Sequence, residues 1–192
     1  MNFDENNQYS VLSKLYKWHW FSMLKFEILS LIGREIFSNK QKDPKKSTLL
    51  HLGSGHNIYP DFINADFYDY KSLKLLRKTP IDRELDLRYV LKVPNDFWEG
   101  VFTEHTLEHL THSQVLFLFK ELYRTMKTGA VLRICVPGLD QTLEAFEASA
   151  SPKSEFRMNY PYTNRAEAVW SLTQNWLHLS EWDYDLMAHF LK

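Results

Sequence analysis

The sequence predicts an α/β protein whose mostly parallel sheet is flanked by helices. Three observations carry that expectation: short apolar runs alternate with helical segments; the first run, residues 47–52 (STLLHL), stops at Gly53-Ser54-Gly55; and the next, Phe62 to Phe67, carries a carboxylate, Asp66, at its end. The chain has 192 residues, 44% apolar and 24% charged, with 15% aromatic residues and only 6 Gly and 7 Pro. That is enough apolar material for one buried core, and it excludes disordered, collagen-like and repetitive chains.

Lys and Arg number 23 against 24 Asp and Glu, a formal charge of −1. No overall attraction to nucleic acid follows, and no nucleic-acid partner is expected. The single Cys135 cannot form an internal disulfide, and Met1 to Ser10 has neither the basic nor the apolar region of a signal peptide. A cytoplasmic location is expected.

Residues 11–37 are the most hydrophobic stretch, but Lys14, Lys17, Lys25 and Glu27 interrupt it before it reaches the ~18 to 20 residues a bilayer requires. Leu12, Leu15, His19, Met23 and Phe26 recur at helical spacing, and Trp18, Trp20 and Phe21 widen the apolar face, so the spacing predicts one or two helices. Residues 11–48 hold 8 Lys or Arg and 3 Asp or Glu. A helix docked on its own domain or on a second subunit is the expected use, and weak contact with an anionic membrane surface is the alternative. The polar run 39–46 (NKQKDPKK) reads as a linker, dividing the chain into an arm and linker, 1–46, and a main domain, 47–192.

Within that domain the Gly53-Ser54-Gly55 turn can aim backbone N–H groups at a ligand. The dinucleotide fingerprint would need a glycine at Ile58, and no phosphate-binding Lys follows, so dehydrogenase and P-loop readings lose support. Asp66 stands where nucleotide-binding α/β folds hold ribose hydroxyls. At most seven residues, 56–62, separate the turn from the second strand, too few for a full crossover helix. The N-terminal arm is expected to cover the face left bare. Glu84 to Arg88 reads as a third strand with Asp86 and Leu87 at its end, Gly100 to Glu104 as a fourth, and Val131 to Val136 as a fifth. A helix is expected over Leu110 to Met126, with Lys127-Thr128-Gly129 as its basic last turn and glycine stop. Residues 166–178 and 183–191 also look helical.

The series LLHLGSG, INADF, DLR, VFTEHTLEHL, ELYRTMKTGAVLRICVP and HLSEWDYDLMAHFL resembles class I S-adenosylmethionine-dependent methyltransferases, in particular the type 11 group of small enzymes, from about residue 48 to the end. The resemblance implies a Rossmann-like fold, S-adenosyl-L-methionine as cofactor and methyl transfer to a small-molecule acceptor. By the same resemblance, Gly53, Ser54 and Gly55 would lie under the methionine part of the cofactor and Asp66 would hold the ribose. Asp86 with the Leu87 backbone would contact the adenine, and Thr103, Glu104 and His105 would line the edge near the sulfonium. His105 is the candidate catalytic base. The chain departs from the pattern at His51, where an acid is usual, at Asn57, at Lys127-Thr-Gly-Ala130 and at Gly138.

Two other functions are weighed. A catalytically degenerate cofactor domain could serve as a scaffold or membrane-surface partner. His105-Thr-Leu-Glu108-His109 also matches the H-x-x-E-H zinc pattern, which would make the protein a zinc hydrolase; because the segment directly follows a strand, no metal site is expected, Glu108 and His109 falling in the first turn of a helix and His109 packing under the sheet edge. Tyr160, Tyr162, Arg165, Trp170, Trp176, His178 and Trp182 are candidates for an acceptor wall, with helices packing their Trp into the core as the plainer expectation. Family members usually continue into two more strands, so an incomplete C-terminal strand pair is expected, with the fifth strand covered by the arm, by the C-terminal helices or by a second copy in a homodimer.

Overall fold

The structure is a computed structural model that describes residues 20–37, 47–67, 81–148, 164–174 and 178–192. The linker 39–46, Trp18 and the rest of the arm before Trp20, and Tyr160, Tyr162 and Trp176 of the expected acceptor wall lie outside the described residues.

The elements run α1 (Trp20–Ile32) with a π-helical turn (Gly33–Phe37), β1 (Leu49–Leu52), β2 (Ile63–Asp66), β3 (Arg83–Glu84), β4 (Trp98–Glu104), a 3₁₀ turn (Leu107–His109), α2 (His112–Thr125), β5 (Met126–Cys135), α3 (Leu139–Ala148), α4 (Arg165–Gln174) and α5 (Tyr184–Phe190). The five strands form one sheet in the order β3-β2-β1-β4-β5, and every pairing is parallel. This is a Rossmann-like α/β fold. Because all strands run the same way, the residues after β1, β2, β3 and β4 emerge at one sheet edge, where open α/β sheets bind ligands.

Burial follows strand position. β1 and β2 lie inside the sheet, and Leu50, His51, Leu52, Ile63, Asn64 and Ala65 are all buried, His51 and Asn64 lying against Tyr59 of the turns that join the two strands. In β4, Trp98, Val101 and Thr103 are buried whereas Gly100, Phe102 and Glu104 are half-exposed. The buried side packs with Val115, Leu118 and Leu122 of α2 and with Leu107 and Trp182 in one core. β5 alternates between exposed and half-buried residues and has no neighbouring strand on its outer side among the described residues. Beyond its end, Gly138 bridges to Trp182 and the Leu139 amide donates to the Trp182 carbonyl at 3.0 Å.

Several boundaries differ from the sequence reading. β3 is only two residues long, so Asp86 and Leu87 stand in the loop after it. β4 starts two residues early, at Trp98. α2 begins at His112 because Thr111 closes a capping box with Gln114, donors and acceptors being exchanged in both directions. It ends at Thr125: Met126 is already extended (φ −84°, ψ 143°), so Lys127-Thr128-Gly129 belongs to β5 and is not a helix stop. Gly129, at φ +83°, lies where the β4–β5 register shifts between Trp98 and Gly100, and a positive φ at glycine suits such a bulge. Asp183 caps α5 through the Leu186 amide at 2.7 Å.

No helix is described between β1 and β2, where 53–62 form turns. The described part of the arm, residues 20–37, does not cover the face so exposed. α1 is tied instead to the segment after β3: Glu27 receives Arg88 Nη1 (2.5 Å) and the Tyr89 hydroxyl (3.0 Å), Ser30 bonds Asp86, and Lys92 Nζ reaches the Arg34 carbonyl (2.6 Å) and Glu35 (3.0 Å). Charged partners at residues 86–92 draw it there. The exposed sheet face holds a cavity of about 450 Å³ lined by Leu49, Tyr59, Phe62, Phe102, Glu104 and Arg133 among others. No helix among the described residues is long and apolar enough to cross a membrane.

Candidate functional site

The glycine turn is built by two left-handed residues, Gly53 (φ +65°) and Gly55 (φ +50°). The Ser54 amide donates to the Ala65 carbonyl at 3.0 Å, which fastens the turn to β2. A Cβ on Gly53 would sit 1.9 Å from Thr106 Oγ1, whereas one on Gly55 would meet nothing within 4 Å. Gly53 is thus required by the protein's own packing, while Gly55 leaves room for a ligand to approach the backbone.

Asp66, at the end of β2, accepts the Gly55 amide on Oδ2 and the Phe67 amide on Oδ1, each at 2.5 Å. A carboxylate has about four lone-pair sites, so two remain for donors from a ligand. The loop after β3 completes the wall. Asp86 is buried, and its lone pairs receive Arg88 N (3.1 Å) and Nε (2.9 Å) on Oδ1, and Arg88 Nη2 (2.7 Å) and Ser30 Oγ on Oδ2. Burial pushes the Asp86 carboxyl up, but the hydrogen bonds from Arg88 and Ser30 and the charge of Arg88 outweigh it and hold the group below its ordinary value.

These residues enclose a cavity of about 410 Å³ lined by Gly53, Gly55, Ala65, Asp66, Phe67, Leu85, Asp86, Leu87, Arg88, His105, Thr106, His109 and Leu110. Apolar residues share its wall with convergent polar groups, as in small-molecule sites. Of the residues singled out in the sequence, Gly53, Gly55, Asp66, Asp86, Leu87 and His105 meet here.

Ser54, Thr103 and Glu104 do not line it. Ser54 and Thr103 are buried with hydroxyls that lack a hydrogen-bond partner. Glu104 accepts from Asn57 Nδ2 at 3.1 Å and borders the other cavity. Successive strand residues face opposite sides, so three consecutive positions of β4 and its loop cannot all face one ligand.

His105 has φ +49°, uncommon outside glycine; its side chain is 73% exposed and its Nδ1 lies 3.4 Å from Glu108 Oε1. Glu108 is buried in the 3₁₀ turn, and His109 is exposed there, not packed under the sheet edge. His109 lies 5.1 Å from the His178 ring, centroid to centroid.

His51 is fully buried and stays out of the cavity, packing against Tyr59 (4.8 Å) and Phe102 (5.1 Å). Burial lowers its pKa despite a 3.3 Å contact with Asn64 Oδ1. Trp182 is a core residue: its indole donates to Ser180 Oγ at 2.9 Å and stacks edge-on to His112 and Phe190. The sequence reading gave no role to Arg88 or Thr106, whose parts depend on partners brought in by folding. For Arg88 the one signal was its place in the DLR segment.

No family model matches the chain, and no curated protein does. Solved structures of similar fold include a SAM dependent methyltransferase from Archaeoglobus fulgidus, 15% identical with a TM-score of 0.48, the match covering 90% of this chain and 72% of that one. The plantazolicin methyltransferase, solved with a pentazolic desmethyl analogue and SAH, is 10% identical with a TM-score of 0.47, covering 95% and 67%. A protein from Pyrococcus horikoshii is 15% identical with a TM-score of 0.41, covering 63% of this chain and 60% of its own. The chain therefore spans less than two thirds of that last protein's length. The likeness to all three is one of fold.

Proposed function

We propose that the protein is an S-adenosyl-L-methionine-dependent methyltransferase acting on a small molecule. The observation that carries this reading is the convergence of the Gly53–Gly55 turn, Asp66 and the Asp86–Leu87 loop, from the ends of three parallel strands, around one cavity of about 410 Å³. The residues fit such a cofactor. The open face of Gly55 suits the amino-acid part, the two remaining lone-pair sites of Asp66 suit vicinal ribose hydroxyls, and Leu85, Leu87 and Leu110 offer apolar surface to a purine. Asp86, whose lone pairs are taken by Arg88 and Ser30, holds the loop that presents Leu87. When bound, the cofactor supplies a methyl group on a sulfonium. His105, exposed at the rim 3.4 Å from the buried Glu108 carboxylate, is our candidate to accept an acceptor proton. The Ser54 amide ties the turn to β2, and Glu104 holds Asn57 at the turn.

The test is thermal unfolding and calorimetric titration with S-adenosylmethionine and S-adenosylhomocysteine, with Asp66→Ala as control. Ligand at 100 times its dissociation constant adds about 2.7 kcal/mol, a rise of roughly 5 to 10 °C for a chain of this size. Asp66→Ala should weaken binding at least about tenfold, because charge-assisted hydrogen bonds contribute about 1.5 to 3 kcal/mol. Absence of both binding heat and a thermal shift with the unmodified protein would overturn the reading.

A further inference from the structure

We propose that Glu108, His109 and His178 form a binding site for a divalent transition-metal ion at the edge of the cavity. One ligand atom from each lies within 4.8 Å of the other two. The side chain of Glu108 is 2% exposed, and neither carboxylate oxygen has a hydrogen-bond partner; the nearest cationic candidate, His105 Nδ1, stands 3.4 Å away on an exposed ring. An ionised carboxylate without donors is costly to bury, and a coordinated cation offsets that cost.

The imidazoles are arranged for the same purpose. His178 Nδ1 is 2.5 Å from the Leu172 carbonyl, which can only accept, so Nδ1 carries the proton and Nε2 keeps its lone pair for a metal. A backbone carbonyl in that position is the usual outer partner of a ligating histidine. The rings of His109 and His178 meet at 77° with centroids 5.1 Å apart, so both can turn an edge nitrogen toward a common point. Main-chain bonds keep the two segments together: the Leu179 and Ser180 amides donate to the Glu108 carbonyl (2.7 and 3.2 Å), and Ser180 Oγ donates to the Leu107 carbonyl (3.2 Å).

Two imidazoles and one carboxylate suit Zn²⁺ or Fe²⁺ better than Ca²⁺ or Mg²⁺, and three protein ligands leave coordination positions open. The set differs from the zinc-hydrolase pattern of the sequence. There His105 and His109 would ligate and Glu108 would serve as base; here Glu108 is itself a ligand and His178 replaces His105. His109 also lines the cavity, so an ion beside it could hold an oxygen of the methyl acceptor. That last step rests on the functional reading above, while the ion site stands without it.

The test uses protein freed of metal by a chelator, titrated calorimetrically with Zn²⁺ alone and followed by visible absorption with Co²⁺ alone. One ion per chain is expected, with visible Co²⁺ ligand-field bands. His178→Ala and His109→Ala should each weaken Zn²⁺ at least about tenfold and remove the bands, while thermal midpoints measured in chelator stay near that of the unmodified protein. His109 is exposed, so its variant keeps the fold even if Glu108→Gln or His178→Ala does not. Asp66→Ala should bind Zn²⁺ normally while losing S-adenosylhomocysteine, which separates failure of this site from failure of the cofactor reading. No stoichiometric ion, or Zn²⁺ affinity undiminished in the His109 variant, would overturn the proposal.

Discussion

Gly53 answers to two constraints at once, a backbone at φ +65° and the Thr106 hydroxyl 1.9 Å from where a Cβ would stand. Gly55 answers only to the first. Left-handed backbone costs a side-chain-bearing residue about 1 to 2 kcal/mol, so Gly55→Ala should destabilise by about that much in urea unfolding. Gly53→Ala adds overpacking, itself worth about 1 to 3 kcal/mol, and should cost about 2 to 5. Thr106→Ala in the Gly53→Ala background removes the two nearest atoms but leaves Thr106 Cβ at 2.8 Å, so recovery should be partial. Equal losses for the two glycine variants, or strict additivity with Thr106→Ala, would contradict this geometry. Both glycines were legible as a turn in the sequence. That one faces protein and the other open space was not, because Thr106 arrives from the far end of β4.

α1 stays in place through polar partners, because Glu27 and Ser30 reach the buried Asp86 carboxylate and the half-buried Arg88 guanidinium paired with it, both of which line the cavity. Loss of a hydrogen bond to a buried charged group costs about 1.5 to 3 kcal/mol. Ser30→Ala should therefore lower stability by about that amount in urea unfolding, and should weaken S-adenosylhomocysteine binding measured by calorimetry, since the loop at Leu87 loses a support. Unchanged values of both would detach α1 from the site. The helical periodicity of α1 was readable; its docking place was not, because the expectation followed the missing crossover helix after β1, whereas hydrogen bonds and ion pairs to residues 86–92 seat the described helix elsewhere. The start of α2 was misread by two residues although Thr111-x-x-Gln114 carries a capping signature, and its end was misread because Gly129 serves a strand bulge.

One half-buried and one buried titrating group, Glu84 and His51, set opposite pH trends for the whole molecule. Burial raises Glu84 from its ordinary 4.5 to about 7. The fold favours its neutral form, so that contribution is full below pH 4.5 and is lost as pH rises through 7. Burial lowers His51 below its ordinary 6.5, so its contribution is full above pH 6.5 and is lost as pH falls beneath it. Thermal midpoints between pH 4.5 and 8 should separate them: Glu84→Gln should gain on the parent protein as pH rises from 4.5 to about 7 and keep that gain above it, and His51→Leu should flatten the decline below 6.5. Parallel profiles for parent and variants would refute both assignments.

By itself the sequence determined the class of fold, the places of five strands though not the start of β5 or the end of β3, the glycine turn and the carboxylates at Asp66 and Asp86, because apolar alternation, Gly spacing and strand-end residues are local in the chain. Only the tertiary structure decided the strand order, the separation of Thr103 and Glu104 from the cavity, the seat of α1, and the meeting of His178 with Glu108 and His109. Those outcomes depend on which surfaces pack and which carbonyl a distant amide finds. The Leu179 and Ser180 amides on the Glu108 carbonyl are such a pairing, one that no spacing along the chain announces.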